Sequence, residues 1–199
     1  MADCTGKITA NLLLDCDALP VGGLTVNTVI INLDDIDRTA STVNVTNRIL
    51  MTNLQLLPGK TGYSFQGIKQ SNGKNYQLVP KENLPNKWSH GFTGVVFNPT
   101  PENKLQVSDM SLGGKYVVVV EQLWKGVGSD DAFEVLGFFT GLELAEATNN
   151  SSENDNTIGL VFKSAEGFEE PGVPHTLLDI DYATTKAAFD NLFIEPVGP

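Results

Sequence analysis

The chain is short of positive charge, cysteine and histidine. Its 199 residues include 13 Lys and Arg against 24 Asp and Glu, which gives a formal net charge of −11. Proteins that grip nucleic acid neutralise phosphates with Lys and Arg, so this balance argues against specific binding of DNA or RNA. The two Cys and two His form no zinc-binding pattern. At this length one hydrophobic core is large enough to fold without a metal or a disulfide.

Long apolar runs are also missing. The longest runs, at residues 29–31 and 116–120, fall far short of the ~20 residues that cross a bilayer. Residues 1–7 lack the basic and apolar regions of a secretory signal. The sequence therefore predicts a protein made in the cytoplasm, with no membrane partner. In that compartment Cys4 and Cys16 are expected to be reduced thiols.

Most of the chain is typical of β-structure. Short segments rich in β-branched or alternating apolar residues are separated by Gly, Asn, Asp and Pro, which is the pattern of a β-sandwich or barrel. Asn72-Gly73 predicts a tight hairpin turn after the segment at 63–68. The predicted strands are 24–33, 48–57, 63–68, 76–79, 91–97, 116–123, 133–136, 140–145 and 158–162.

Two segments predict helices. Thr100 followed by Pro101 and Glu102 is a cap, a proline in the first turn and an acidic residue near the positive end of a helix dipole. This helix is expected to carry Leu105 and Leu112 at helical spacing and to end at Gly113. The second helix is expected over 184–193, with a cap at Thr184, an apolar stripe of Ala188, Phe189, Leu192 and Phe193, and a stop at Pro196. The predicted fold class is mainly β, with one packed helix and a short C-terminal helix.

We expect residues 1–199 to form a single β-rich domain, because no break in composition divides the chain. Two parts stand apart from its core: an N-terminal arm of about residues 1–21, and an excursion of about residues 59–91 that is rich in Lys, Asn, Gly and Pro. The polar, acidic segment 146–156 is expected to be a long mobile loop. All three are candidates for contacts between chains.

Candidate catalytic and metal-binding groups are sparse. His90 and His175 accompany no nucleophile motif, so each is expected to be a structural or surface residue, and we predict no enzymatic activity. Acidic clusters at 15–17, 34–37 and 179–181 could bind a hard cation through oxygen, but none matches the twelve-residue calcium loop. Solvated turn acids are the better interpretation. The sequence predicts no cofactor.

Trp88 lies between Lys87 and Ser89 in the polar excursion, and Tyr76 precedes it in the same excursion. An aromatic side chain in polar surroundings is more typical of an interface than of a core. We therefore predict that Trp88 and Tyr76 make contacts between subunits.

The second half of the chain resembles virion structural proteins, the tail-tube proteins of tailed phages that infect Bacteroidetes-type bacteria. The resemblance is one of order and composition over roughly residues 90–195, and the first half shows it more weakly at 14–17 and 21–23. The segments that carry it are 114–121, 133–137, 141–144, 157–164, 169–171 and 181–190.

The resemblance implies a β-sandwich or barrel of which six copies close into a ring around a β-lined channel, with rings stacked into a tube. It implies a virion location and partners among other tail or neck proteins. Six copies at −11 each carry a formal charge of about −66. If much of that charge faces inward, the channel is acidic and DNA passes without specific binding.

Two other classes stay open at the sequence level. Within the virion, the chain could be a capsid decoration protein or a head–tail connector, whose symmetry would differ from that of a tube. Outside it, the chain could be a carbohydrate-binding β-sandwich module that uses Trp88 and Tyr76 as a stacking platform.

Overall fold

Seven strands form the larger of two sheets. They are β1 (Leu24–Asn32), β2 (Thr42–Val43), β3 (Leu50–Asn53), β4 (Tyr63–Gln66), β7 (Tyr116–Gln122), β8 (Phe133–Leu136) and β11 (His175–Leu177). Their order in the sheet is β2-β3-β11-β8-β7-β1-β4. The pairs are antiparallel except that of β3 with β11, which is parallel. The structure is a computed structural model that describes residues 7–8, 10–16, 18–152 and 155–194.

The smaller sheet has four strands, β5 (Gly73–Val79), β6 (Lys87–Val96), β9 (Glu143–Asn149) and β10 (Ile158–Lys163). Their order is β5-β6-β10-β9, and all three pairs are antiparallel. Helix α1 (Pro101–Met110) follows β6, and α2 (Tyr182–Asn191) follows β11. The fold is therefore mainly β, with two packed sheets and two helices, as the sequence predicts.

The larger sheet is the middle layer of the fold, and the sequence of β7 explains why. Val118 and Val120 point to one face, where they pack with Phe92 and Phe162 of the smaller sheet. Val117 and Val119 point to the opposite face and belong to the cluster that includes Phe189 of α2. A strand buried on both faces has no need of polar residues at alternate positions, so its apolar run is continuous.

Helix α1 begins where the sequence predicts, because the Thr100 hydroxyl accepts a hydrogen bond from the Asn103 N–H at 3.3 Å. The face it turns to the core was wrongly predicted. Val107 and Met110 pack against the core, whereas Leu105 is 58% exposed and Leu112 is 82% exposed. The turn after the helix ends at Gly113, whose φ of +90° favours glycine.

Helix α2 is capped by Asp181, three residues before the predicted cap at Thr184. The Asp181 carboxylate accepts the Thr184 N–H at 2.7 Å, and this bond lowers the pKa of Asp181. Phe189 and Leu192 are buried and Phe193 is half-buried, but Ala188 is exposed and is not part of the apolar stripe. The predicted stop at Pro196 lies outside the described residues.

The predicted hairpin at Asn72-Gly73 is wrong. β4 pairs with β1 in the larger sheet, whereas β5 pairs with β6 in the smaller one. The chain therefore crosses between sheets at Asn72, which is buried and lies with its amide nitrogen 3.4 Å from the Thr28 hydroxyl.

The predicted loop at 146–156 is also partly wrong. Residues 146–149 belong to strand β9, which pairs with β10. The hydrogen bonds of this ladder order a segment that has almost no apolar side chains.

Candidate functional site

The smaller sheet ends in two long strands that each have one partner. β5 pairs with β6 and β9 pairs with β10, and in the described part of the chain no strand pairs with the outer edge of either. Each of these edge strands has seven residues, and most of them are exposed. Monomeric proteins usually blunt such edges with short strands, prolines or a covering element, since open backbone groups recruit further strands. The two edges are therefore candidate assembly surfaces.

The two edges run in opposite directions. Three successive antiparallel pairings lie between β5 and β9, so these two strands point in opposite directions. If a second copy of the sheet is placed beside the first by a rotation, its β5 therefore lies antiparallel to β9 of the first copy. A head-to-tail contact of this kind closes into a ring when the rotation between copies divides a full turn. The number of strands in the sheet is even, which allows a continuous antiparallel ladder through every copy.

The outer face of the smaller sheet consists mostly of polar or small residues. Phe92, Leu160 and Phe162 point to the core, so the alternate positions Thr93, Val161 and Lys163 point away from it. Gly91 also lies on this outer face, where an added Cβ would meet the Asn75 side-chain oxygen at 2.1 Å. By the same alternation, the charged residues of this face are Lys87, Glu143, Glu146 and Lys163. Their formal charge is balanced.

Tyr76 and Trp88, the predicted contact residues, lie together on the hairpin formed by β5 and β6. Tyr76 pairs with His90 and Trp88 pairs with Leu78, which places both rings on the core-facing side of the sheet, near its end. Their ring centroids are 5.8 Å apart with a 57° tilt, and Tyr76 remains 46% exposed. Their role between subunits stays a prediction.

The described residues of the N-terminal arm expose apolar side chains to solvent. Leu12, Leu13 and Leu14 are between 78% and 90% exposed, and Ile8 is 81% exposed. None of the described residues before Leu24 belongs to a helix or strand. Four exposed large apolar side chains in one short segment make the arm a candidate interaction surface.

Trp88 also lines a cavity of about 420 Å³ that the sequence does not reveal. Its buried charged residue is Glu170, which is 2% exposed. The Glu170 carboxylate accepts the N–H of Thr140 at 2.7 Å, the Thr140 hydroxyl at 2.8 Å and the N–H of Phe139 at 3.1 Å. The backbones of Glu170 and Trp88 bond to each other, which fixes the carboxylate beside the end of β6. In the sequence, residues 169–171 are only two acidic residues followed by a proline, a pattern that does not predict a binding site.

The cavity brings together the two histidines of the chain, 85 positions apart. The Nδ1 of His90 accepts the Gly137 N–H at 3.2 Å, so its Nε2 carries the proton and donates to the Gly172 carbonyl at 2.9 Å. His175 lies with Nδ1 3.3 Å from the Ile49 carbonyl and packs against the rings of Phe138 and Phe139. Burial lowers the pKa of both histidines below the ordinary value.

The two histidines are expected to make the fold sensitive to acid. Because their pKa is lower in the folded chain, the unfolded chain binds more protons once the pH falls below about 6.5. The stability that this difference in pKa contributes is therefore present above about pH 6.5, and it is lost as the pH falls from there through the lower pKa of the folded chain. Urea unfolding from about pH 7 to about pH 5 should show this loss, and His175→Asn should reduce its slope by about half. Equal slopes for the two proteins would contradict this origin of the loss.

Two acids of the cluster at 34–37 have structural roles. Asp35 pairs with Lys60 at 2.9 Å, and Asp37 accepts the Thr39 N–H at 2.9 Å within a turn. Asp17 and Cys4 lie outside the described residues, while Cys16 is an exposed free thiol. Within the described ranges, no group of three or more His, Cys, Asp or Glu residues could hold a metal ion.

No protein-family model, curated protein or solved structure matches this chain. Neither helix in the described part of the chain has the length and apolar character needed to cross a bilayer. The features of the molecule that bear on its function are therefore the sheet edges, the arm and the cavity.

Proposed function

We propose that this chain is a virion structural protein of a tailed phage, the tail-tube protein, which closes into six-membered rings that stack into a tube for DNA. The observation that carries the proposal is the four-stranded sheet with two open edges that run in opposite directions. That sheet can join copies of itself without any rearrangement of its strands. The sixfold symmetry is taken from the tail-tube proteins that residues 90–195 resemble.

The size of such a ring suits its task. Six copies of the four-stranded sheet make a barrel of 24 strands. With strands about 4.8 Å apart and tilted by about 40°, the backbone of this barrel has a diameter of roughly 50 Å. A DNA duplex fits inside that circle with room for the side chains of the wall. A ring of four copies would have only 16 strands and a correspondingly narrower channel.

In this arrangement the outer face of the smaller sheet lines the channel. Its small and uncharged residues, such as Thr93 and Gly91, give DNA bases and phosphates little to bind. The balanced charge of this face makes a nearly neutral wall, so the acidic channel expected from composition would have to come from other residues, such as Asp155 in the turn before β10. A wall without a positive excess does not retard a polyanion.

The N-terminal arm is the segment that we assign to contacts with other copies. Its exposed leucines need a partner, and it leaves the fold just before β1. The hairpin that carries Tyr76 and Trp88 is the second such surface. Together with the open edges, these surfaces give the chain contacts both within a ring and between rings.

A chain lacking residues 1–20 is expected to remain folded but to lose polymerisation, because none of the described residues in this segment belongs to the buried core. Light scattering should show the intact chain far above 21.5 kDa and the shortened chain at a much smaller mass. Circular dichroism and thermal unfolding of the shortened chain control for its fold. Normal assembly of the shortened chain would refute the role of the arm.

A further inference from the structure

Glu170 is a buried carboxylate that lacks a positive partner. None of the ion pairs in the described part of the chain includes it. Among the described residues, three donors bond to its Oε1, whereas Oε2 accepts only the Phe139 N–H, which is shared between the two oxygens at 3.1 Å. A buried carboxylate that forms no ion pair is costly, so the free capacity of Oε2 favours a positively charged guest.

The walls around Glu170 suit the organic part of such a guest. Trp88, Phe138 and Phe139 line the same cavity. The Phe138 ring already carries the Arg38 guanidinium at 5.4 Å, so Trp88 and Phe139 offer the aromatic surface for a cation, and Phe138 adds apolar wall for an alkyl stem. His90 has no free nitrogen, because both of its ring nitrogens are bonded to backbone groups. A volume of about 420 Å³ lies in the range of small-molecule sites.

Arg48 sets a limit on the charge of the guest. It lines the cavity from an exposed position, whereas Glu170 is buried. A second positive charge on the guest would approach the Arg48 guanidinium and be repelled. The site therefore suits one cationic group on an apolar stem rather than a polyamine.

We propose that this cavity binds a monovalent organic cation, a primary ammonium or guanidinium group, with its charge against Glu170 and its stem against Trp88, Phe138 and Phe139. The cation can belong to a free amine or to a Lys or Arg side chain of another polypeptide. Cation binding and self-assembly are separate properties, so either can fail while the other stands.

Fluorescence of Trp88 provides the test. The chain has two Trp residues, so Trp124→Phe leaves Trp88 as its only Trp. Titration of this protein with n-butylammonium chloride should give a saturable change in the millimolar range, against sodium chloride as the control for ionic strength. n-Butanol has the same stem without the charge and should bind at least about tenfold more weakly. Equal binding of the two compounds, no saturable change, or saturable binding of glucose in place of the amine would overturn the proposal.

Glu170→Gln tests the carboxylate itself. The amide oxygen can still accept the bonds from Thr140, so the loop keeps its anchor while the charge is lost. We expect n-butylammonium binding to weaken by about tenfold or more. Unchanged binding by a folded variant would overturn the proposal. If the variant does not fold, the proposal is still tested by comparing n-butylammonium with n-butanol on the protein that keeps Glu170.

The source of the cation is distinguished by the state of assembly. If a neighbouring copy supplies a Lys or Arg side chain, assembled protein should not bind n-butylammonium while dispersed chains do. If the natural guest is a free amine, both states should bind it. Binding by neither state would overturn the proposal.

Discussion

Two lysines placed on β9 are expected to abolish assembly. In the variant with Ala145→Lys and Ala147→Lys, the added ammonium groups lie on the open edge that we propose to meet β5 of the next copy. Charged side chains, lysine above all, are the usual means by which proteins keep an edge strand from pairing. Light scattering should therefore show a single chain where the original protein forms large assemblies.

The fold of this variant should be intact. Ala145 and Ala147 are both exposed, and Ala145 is the extra residue where the register of β9 with β10 shifts. Surface substitutions of this kind usually change stability by no more than about 0.5 kcal/mol. The matched control is Ala187→Lys with Ala188→Lys, two exposed residues of α2, which adds the same charge away from both edges. If both double variants lost assembly equally, the added positive charge would be the cause, and the role of the β9 edge would be contradicted.

Truncation of Phe162 should have the largest effect on stability. Its side chain is fully buried between the sheets, with ring centroids 6.1 Å from Phe92 and 5.7 Å from Tyr116. Phe162→Ala removes this contact and leaves a cavity, which typically costs about 3–5 kcal/mol. The shift of the urea midpoint, at unchanged slope, measures the loss of free energy of unfolding.

Phe168→Ala is the control for that measurement. The Phe168 ring is 57% exposed and lies under the Lys115 ammonium at 4.5 Å, so its loss should cost far less than that of Phe162. Similar losses for the two variants would contradict the assignment of Phe162 to the core between the sheets. Because the four-stranded sheet is held by this core, Phe162→Ala should also weaken assembly.

Local chemistry explains which parts of the fold were predictable. The run of β-branched valines in β7 and the Thr100-Pro101 cap of α1 are patterns within a few consecutive residues, and both elements were predicted correctly. Asn72-Gly73 has the composition of a hairpin turn, but the chain crosses there between two sheets, and only the long-range pairing of β4 with β1 shows it. Strand β9 was assigned partly to a loop because its ladder with β10, not its side chains, orders it.

The candidate sites also differ in whether the sequence alone could predict them. The aromatic residues of the excursion were visible in the sequence, since Trp88 lies among polar neighbours. The cavity was not visible, because β6, the loop at 138–140 and the segment at 170–175 meet only in three dimensions. Glu170 becomes distinctive only when its burial and its bonds to the Phe139 and Thr140 backbone are known.

Symmetry is the most direct measure of whether this chain builds a tube. Negative-stain micrographs of the purified chain should show sixfold rings or stacked tubes, with a central channel lined by the smaller sheets. Threefold or fivefold assemblies would instead favour a capsid role. A monomer that persists at high concentration would contradict self-assembly altogether.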